Sequence, residues 1–336
     1  MLISARPAES RVAVVLNGRA RGVSPELVHR IGRMVPRRDL FVSRTLGDSR
    51  EIAQAIVERG YPAVLFGGGD GTFVQCLADL RERASAEAAP LPSVGVLKLG
   101  TGNALARALG ASPPTVSGLR HDLDRAAADR RRDLPLLEVD GVLTPFAGAG
   151  LDAQILDDFT ATTRALDALG VGRRLGPGAR YALAVASRSI PRYWATPLVE
   201  VVATNLGSPA IRVGAGGRPV GEPVARGGIL YRGRCALAAG STIPWYGLGI
   251  RIFPHARARR DRFHLRCACS STREILAHLP SIWRGEYASD TITDWLVDDV
   301  ELRFSRPTPV QIGGDLLGAR DRLRLTLSGV PVSVFA

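Results

Sequence analysis

A strand followed by a glycine-rich loop and a helix occurs twice in the first third of the chain, and this repetition strongly constrains the fold. Residues 63–73 read AVLFGGGDGTF, an apolar run followed by four glycines and one aspartate. Residues 93–110 repeat the unit as strand SVGVLKL, loop GTGN and helix ALARALG. Strands that alternate with helices at this spacing predict an α/β fold with a doubly wound, mostly parallel sheet. Ligands bind such sheets at the carboxyl ends of the strands, where both loops fall.

The pattern of the chain changes near residue 134. Before this point, strands and helices alternate, and the helix after the second strand is expected to be capped by Asp48. After it, short alternating runs with frequent Gly and Pro predict antiparallel strands in a sandwich or distorted barrel. Helical patterns interrupt these strands at 151–169, 179–194 and 271–285. We therefore predict an α/β domain over residues 10–133 and a β-rich, sandwich-like second domain over residues 134–319.

The composition constrains the partners and the compartment. The formal net charge is +12, and Lys98 is the one lysine among many arginines. Such a charge favours an anionic partner, such as a nucleotide phosphate, a nucleic acid or an acidic membrane surface. An arginine bias can also follow from the base composition of the genome. The four cysteines form no CxxC pair, which argues against a zinc site or a disulfide framework. With no apolar leader and no bilayer-length apolar stretch, we expect a cytosolic chain or one that sits on a membrane.

The glycine loops have the chemistry of a phosphate site. A strand that enters a glycine-rich turn and then a helix presents backbone N–H groups to an anion with no bulky side chain in the way. The chain contains no GxxxxGK[ST] motif, and the GGGDG loop does not match the GxGxxG pattern of dinucleotide-binding sites. A lone GGGDG could be a structural turn, but a second loop on the next strand favours one shared nucleotide site.

Together, the two loops resemble the catalytic domain shared by diacylglycerol kinases, sphingosine kinases and bacterial lipid kinases. The family pattern, GGDGT followed by P-x-G-T-x-N-x-x-A, is matched by FGGGDGTF and LKLGTGNALARALG. The resemblance extends to VLNGRAR, SRT, TPFAGAGLDAQIL and ARYALAVA, and it is strongest over residues 12–155. It implies an ATP-dependent kinase that phosphorylates a lipid hydroxyl, of diacylglycerol or sphingoid type, in a cleft beside a lipid-substrate domain. It also implies that strands near 320–336 can rejoin the first domain.

The same resemblance implies the site residues. The expected nucleotide-binding residues are Asn17, Thr45, Gly67, Gly68, Gly69, Asp70, Gly71, Thr72, Lys98, Gly100, Thr101, Gly102 and Asn103. Phosphoryl transfer further requires Mg²⁺ and a carboxylate near the attacking hydroxyl. Asp70 is the expected base, Asp315 a second catalytic carboxylate, and both are candidate metal ligands. The alternative for Asp70 is a side chain that caps the helix following it.

Three positions depart from the family pattern. Lys98 replaces the usual proline and could either contact the nucleotide or be solvated. Ala104 follows GTGN at a position where aspartate is common in the family. Sphingosine kinases also have alanine at this position. Near the C-terminus, VQIGGDLLG stands in place of an Asp-Gly-Glu turn, so that Gly313 replaces the aspartate and Asp315 the glutamate. Asp315 could still act as base or metal ligand; otherwise the turn is only a hairpin and the activity is weak, altered or absent.

Two further segments allow alternative interpretations. The arginine-rich stretch 257–266, together with Phe253, His255 and Phe263, is either solvated or a membrane contact. A membrane contact is favoured over a nucleic-acid surface, because no RNA- or DNA-binding signature accompanies the stretch. Trp245, Tyr246 and Ile250 line either the core or an acyl-chain pocket.

Other functions remain open beside the lipid kinase. A NAD kinase shares GGDGT, but its Asn-Glu motif is replaced here by GTGNAL. A catalytically weakened lipid- or nucleotide-binding protein would explain Gly313. If the protein is the lipid kinase, we expect it to be cytoplasmic and peripheral at the inner membrane. Its expected partners are a lipid substrate and an anionic membrane surface, and we expect no nucleic-acid partner. The sequence leaves the oligomeric state open, a homodimer included.

Overall fold

The computed structural model describes residues 11–128, 130–170, 175–195 and 197–335, which form two compact units. The first unit comprises the described residues up to Leu134 and those from Val330 onward, and the second is Pro135–Gly329. The boundary coincides with the change of sequence pattern near residue 134. A short C-terminal strand, Val332–Phe335, returns to the first unit, whereas Asp315–Leu327 belongs to the second.

The first unit contains a six-stranded sheet with helices on both faces. Numbered in chain order, its elements are β1 (Val12–Asn17), α1 (Pro25–Ile31), β2 (Leu40–Ser43), α2 (Leu46–Glu58), β3 (Ala63–Gly68), α3 (Asp70–Ala86), β4 (Ser93–Lys98), α4 (Ala104–Ala108), α5 (Val116–Ala127), β5 (Arg131–Leu134) and β17 (Val332–Phe335). The strand order is β2-β1-β3-β4-β17-β5, and every pairing is parallel except that of β17 with β5. This is the predicted doubly wound arrangement.

Burial on both faces explains the continuous apolar runs of the central strands. All six residues of β3 are buried. On one face, Leu65 packs in a core that includes Leu119 of α5. On the other, Phe66 meets Phe73 of α3 edge to face, with ring centroids 6.0 Å apart. The two layers of helices fix the sheet, and with it the edge where the glycine loops lie.

The second unit is dominated by antiparallel strands. Its elements are β6 (Leu137–Val139), β7 (Val142–Thr144), β8 (Phe146–Gly150), α6 (Leu151–Ala168), α7 (Pro177–Ala184), α8 (Ile190–Ala195), β9 (Val199–Asn205), β10 (Ile211–Val213), β11 (Ile229–Cys235), β12 (Leu237–Ser241), β13 (Phe263–Ala268), α9 (Thr272–Ala277), α10 (Leu279–Arg284), β14 (Ile292–Val297), β15 (Asp299–Ile312) and β16 (Asp315–Leu327). The sheet runs β10-β14-β13-β12-β8-β15-β16-β6-β7, and β9 joins β11 to β15. The predicted fold class, an α/β domain plus a β-rich second domain, is confirmed.

The arginine-rich stretch divides between the core and the surface. Phe253 and Phe263 are fully buried, so the interpretation that placed these rings at a membrane contact is wrong. Arg266 is also buried, and its guanidinium bonds both carboxylate oxygens of Asp294 at 2.8 and 2.7 Å. The arginines between residues 257 and 260 are exposed. Within the described ranges, no helix is both long and apolar enough to cross a membrane.

Candidate nucleotide site

The two glycine loops lie side by side because their strands are neighbours. β3 and β4 pair in parallel, with Gly68 opposite Lys98. Beyond this pair the loop backbones touch, since a Cβ on Gly100 would lie 2.3 Å from the Cα of Gly69 and 2.9 Å from the carbonyl oxygen of Gly68. Any side chain at residue 100 would therefore push the loops apart. Gly67 is also tightly packed, because a Cβ there would meet the side chain of Leu16 at 2.4 Å.

Asp70 bonds the helix that follows the other loop. It is the first residue of α3, and its carboxylate oxygens accept the backbone N–H groups of Ala104 at 3.1 Å and Leu105 at 2.8 Å. These N–H groups are the first two of α4, which have no partner within their own helix. Asp70 therefore caps α4, whereas the alternative interpretation named the helix that Asp70 itself begins. The carboxylate links the two loops.

A third strand end joins this edge through Asn17. Its side-chain amide donates to the Thr72 hydroxyl at 2.9 Å, while its carbonyl oxygen accepts the backbone N–H of Arg19 at 2.9 Å. Thr72 in turn lies against Gly68, where an added Cβ would come within 2.4 Å of the Thr72 hydroxyl oxygen. The ends of β1 and β3 are thus tied together beside Gly71, the second residue of α3.

Sequence reasoning missed Gly22, which packs the loop after β1 onto the end of β4. Its backbone N–H donates to the Leu99 carbonyl at 3.2 Å, and a Cβ would lie 2.4 Å from that oxygen. The available signal was the second glycine of NGRARG, four residues after the first. The loops after the three neighbouring strands β1, β3 and β4 therefore meet at one edge of the sheet.

The GTGN loop is held in shape by its own asparagine. Asn103 has a left-handed backbone, with φ of 52°, and its side chain bonds both the N–H and the carbonyl of Gly100 at 2.9 and 2.5 Å. Asparagine tolerates this conformation better than most residues. Thr101 and Gly102 lie between these two points and are half-buried. The asparagine thus fixes the loop and leaves the two residues between partly exposed.

Thr45 ends the loop after β2, the strand beside β1. Its hydroxyl accepts the Asp48 N–H at 3.1 Å, and the Asp48 carboxylate accepts the Thr45 N–H at 3.3 Å. This reciprocal capping box begins α2 at Leu46, so the prediction of Asp48 as the cap is wrong by three residues. The Thr45 side chain therefore has a structural partner.

Lys98 is half-buried at the end of β4, directly beside the GGGDG loop. Within the described ranges, the structure shows no carboxylate paired with its ammonium group. An unpaired cation beside a glycine loop of this type favours the binding of an anion.

In the second unit, Gly313 and Gly314 form the two-residue turn between β15 and β16. Both have positive φ, 57° and 91°, as a type I′ hairpin requires. Asp315 follows as an exposed residue, and no hydrogen bond to its carboxylate is seen in the described part of the chain. Partial desolvation raises the pKa of the Asp315 carboxyl. The φ of residue 313 is one that Asp and Asn tolerate, so the backbone conformation does not by itself require the glycine.

A polar cluster that sequence reasoning did not find supports this turn. The Tyr246 hydroxyl donates to Asp152 at 2.7 Å, and the Gln311 amide donates to the same carboxylate at 3.1 Å. The Gln311 carbonyl oxygen accepts the Gly314 N–H at 2.9 Å. Burial raises the pKa of the Asp152 carboxyl, and the Tyr246 hydrogen bond offsets this only in part. The Tyr246 hydroxyl is therefore hydrogen-bonded to a carboxylate, so this side chain does more than line a core or an acyl-chain pocket.

The carboxylates fit a magnesium ion that arrives with a nucleotide, not a preformed metal cage. No group of three or more His, Cys, Asp or Glu side chains suited to a metal occurs among the described residues. Mg²⁺ in kinases usually keeps its waters and is held by one or two carboxylates plus phosphate oxygens. A single carboxylate such as Asp70 at the start of α3 has the oxygen chemistry that such an ion accepts.

Comparison with known proteins agrees with this geometry. Residues 11–135 match the family "Diacylglycerol kinase catalytic domain". A "Probable lipid kinase YegS-like" of Chromohalobacter salexigens is 30% identical over 156 residues, which cover 46% of this chain and 48% of that protein. A protein of the same name from Pseudomonas aeruginosa is 33% identical over 137 residues, covering 40% and 42%. The aligned segment thus spans about half the length of these relatives.

The fold match is wider than the sequence match. A solved structure of a "putative diacylglycerol kinase" from Bacillus anthracis aligns with a TM-score of 0.63 and 15% identity over 97% of both chains. A second structure from the same organism, described as a diacylglycerol kinase, gives 0.58 and 14%. At this identity the likeness concerns the fold alone. The resemblance inferred from the two loops is confirmed.

Proposed function

We propose that this protein is an ATP-dependent lipid kinase, because residues 11–135 match the family "Diacylglycerol kinase catalytic domain". It would transfer the γ-phosphoryl group of ATP to the hydroxyl of a membrane lipid of diacylglycerol or sphingoid type. The observation that carries the proposal is the backbone contact of Gly69 with Gly100, which joins two phosphate-type loops at one sheet edge. The names of the curated relatives support the same activity.

ATP is proposed to lie across the carboxyl edge of the first sheet. The backbone N–H groups at the start of α3, a helix of 17 residues, would bind its phosphates, because a helix N-terminus carries unpaired donors and a partial positive charge. The Asn17–Thr72 pair and the exposed part of the GTGN loop border the same edge. Lys98 would add a full positive charge next to the phosphates.

Asp70 and Asp315 are the proposed magnesium ligands and proton acceptors. When bound with ATP, Mg²⁺ neutralises negative charge on the phosphoryl oxygens. The lipid oxygen forms a bond to the γ-phosphorus, the bond from that phosphorus to the departing ADP oxygen breaks, and the hydroxyl proton passes to a carboxylate. The two candidates differ in their partners: Asp70 bonds two backbone N–H groups, whereas Asp315 is exposed and its raised pKa suits a base.

A lipid acceptor also requires a place of action. The substrate is confined to a bilayer, so we propose that the protein works as a peripheral enzyme at the cytoplasmic face of the inner membrane. The net charge of +12 favours an anionic lipid surface. No nucleic acid takes part in this proposal.

Gly313 supports a second candidate, a lipid- or nucleotide-binding protein with weakened catalysis. The family turn supplies carboxylates at two positions, and this chain retains one of them as the shorter Asp315. Such a protein would bind ATP and lipid without transferring phosphate at a useful rate.

The decisive experiment is transfer of radiolabelled phosphate from ATP to a panel of lipids by the purified protein, with products identified by mass. A labelled lipid that disappears with Asp70→Ala but persists with Gly329→Ala, a substitution in open space, is the expected result. ATP binding without transfer to any lipid would favour the second candidate. Transfer to NAD instead of lipid would reject both.

A further inference from the structure

We propose that one surface of the second unit docks onto an anionic phospholipid bilayer, with the helices α9 and α10 as the part that enters it. The hairpin surface, as we call it, consists of α9, α10, Trp194 and the loop 245–260. The inference rests on the proposed function, because a lipid kinase must reach a substrate that stays in a bilayer.

Large apolar side chains are exposed on the two helices. Leu276, Leu279 and Trp283 are 56%, 41% and 42% exposed, within a segment of two short helices. Side chains of this size normally lie in a core, and a cluster of them on a surface marks an interaction site. Because α9 and α10 have six residues each, they can rest in a membrane interface but not span it.

Trp194 extends this apolar surface from α8. Its side chain is 70% exposed, yet its indole N–H donates to the Thr272 hydroxyl at 3.0 Å, at the first residue of α9. The neighbouring Tyr193 hydroxyl donates to the Ser270 carbonyl at 2.8 Å, which holds the end of α8 against the start of α9. Tryptophan is favoured at membrane interfaces, where its ring is half apolar and half polar.

Arginines border the apolar side chains. The backbone N–H of Arg251 donates to the Trp283 carbonyl at 3.0 Å, so its loop runs beside α10. The guanidinium groups of Arg251 and Arg257 lie over the Trp245 ring, 5.9 and 5.3 Å from its centroid. Three of the chain's four tryptophans therefore belong to the hairpin surface, each with a polar or cationic neighbour.

The charge balance of this region selects an anionic occupant. Residues 251–290 contain eight arginines and four carboxylates. Two of these arginines do not add to the exposed charge, because Arg266 is buried against Asp294 and the largely buried Arg262 pairs with Asp298. Three of the four carboxylates already have partners. Asp261 pairs with Arg259, Glu286 pairs with Arg284, and Glu274 accepts hydrogen bonds from three hydroxyl groups. A second copy of the same basic surface would be repelled, whereas anionic lipid head groups would be attracted and acyl chains would cover the leucines.

Binding to vesicles without ATP tests the docking surface separately from catalysis. We expect the protein to sediment with phosphatidylcholine vesicles that contain about 30% phosphatidylglycerol, and to bind pure phosphatidylcholine at least about tenfold more weakly. Leu276→Ser/Trp283→Ser should lose about tenfold or more of the binding to anionic vesicles. Arg251→Gln/Arg260→Gln should weaken binding and reduce its salt dependence. The matched control is Val116→Ser/Val330→Ser, which removes exposed apolar side chains, 51% and 73% exposed, from the first unit.

Unchanged vesicle binding by Leu276→Ser/Trp283→Ser, or equal loss in the control, would overturn the proposal. So would a change of this variant from dimer to monomer in sedimentation velocity with its vesicle binding intact, because the surface would then join two copies. Phosphoryl transfer to a water-soluble, short-chain lipid distinguishes the two proposals. A protein that docks through this surface but transfers no phosphate refutes the kinase and leaves the docking surface in place.

Discussion

The carboxylate of Asp70 accepts the backbone N–H of Leu105 at 2.8 Å, across 35 residues of sequence. One side chain thus fixes the start of α4 relative to the start of α3. A base alone would not need this arrangement, and a helix cap alone would not need to lie where two glycine loops meet. Asp70 is therefore both a positioning residue and a candidate participant in the chemistry.

Substitutions of Asp70 can separate these two roles. Asp70→Ala removes both acceptors and should lower the unfolding free energy by about 0.5–2 kcal/mol, the usual effect of losing a helix cap. Asp70→Asn keeps one acceptor oxygen but turns an NH2 group toward the other backbone N–H, so we expect a smaller loss of stability than with Ala and, because the charge is lost, a kcat lowered about 100-fold or more. Urea denaturation and steady-state kinetics measure the two effects. An Asn variant with normal kcat would leave Asp70 only its positioning role.

The contact between the loops predicts a strict requirement for glycine at residue 100. Gly100→Ala places a methyl group 2.3 Å from the Gly69 Cα, and overpacking of this kind costs about 1–3 kcal/mol. Because the loops must move apart, ATP affinity should fall as well, as measured by titration calorimetry. Gly329→Ala, which has no atom within 4 Å of the added Cβ, should change neither quantity. Normal ATP binding by Gly100→Ala would place the nucleotide elsewhere.

The sequence predicts the two-unit fold well because its evidence is local. Continuous apolar runs such as VAVVLN indicate buried parallel strands, and alternating runs after residue 134 indicate antiparallel ones. The position of β17 between β4 and β5 is not local information. It depends on Phe335, whose ring fills the space left by Gly95, where a Cβ would come within 2.6 Å. A strand of four residues carries no signal for so distant a partner.

The candidate site divides in the same way. The neighbouring loops follow from the strand order, so their glycines could be predicted. The capping of α4 by Asp70 and the Asp152–Tyr246–Gln311 cluster join residues 34 to 159 positions apart. Such contacts depend on packing rather than on periodicity, and no motif in one sequence specifies them. The exposed leucines of α9 and α10 were missed because an amphipathic pattern does not show which side lacks a partner.

Lys98 should act on nucleotide affinity more than on the rate of transfer. If its ammonium binds a phosphate, Lys98→Gln removes a charge-assisted hydrogen bond of about 1.5–3 kcal/mol, and the KM for ATP should rise about tenfold or more. Lys98→Arg should restore much of that affinity. Steady-state kinetics at two salt concentrations measure the change, which should shrink at high salt. Equal KM values for wild type and Lys98→Gln would show that the lysine is merely solvated.

The hydrogen bonds of Glu274 predict how the stability of the hairpin surface changes at acidic pH. Burial alone would raise its pKa, but hydrogen bonds from Thr291, Tyr287 and Ser289 outweigh this and lower the pKa to about 2. Because the folded pKa lies below the ordinary value of 4.5, the carboxylate stabilises the fold above about pH 4.5, and this stability is lost as the pH falls toward about 2. The Tm advantage of wild type over Glu274→Gln should therefore shrink across this range. An advantage that stays constant from pH 5 to 2 would contradict the assignment.

Gly313 offers a gain-of-function test, because the backbone of the turn already suits an aspartate. Its φ of 57° lies in the left-handed region that Asp and Asn tolerate, and Asp-Gly is a preferred pair for a type I′ hairpin. Gly313→Asp should therefore fold normally and place a second carboxylate two residues before Asp315. We expect kcat for phosphoryl transfer to rise at least about tenfold, since general acid–base groups contribute about 100- to 10,000-fold where they act. Gly313→Asn has nearly the same shape without the charge and should remain at the wild-type rate. If Asp and Asn give the same rate, charge at this turn does not limit transfer, and the low-activity explanation based on Gly313 fails.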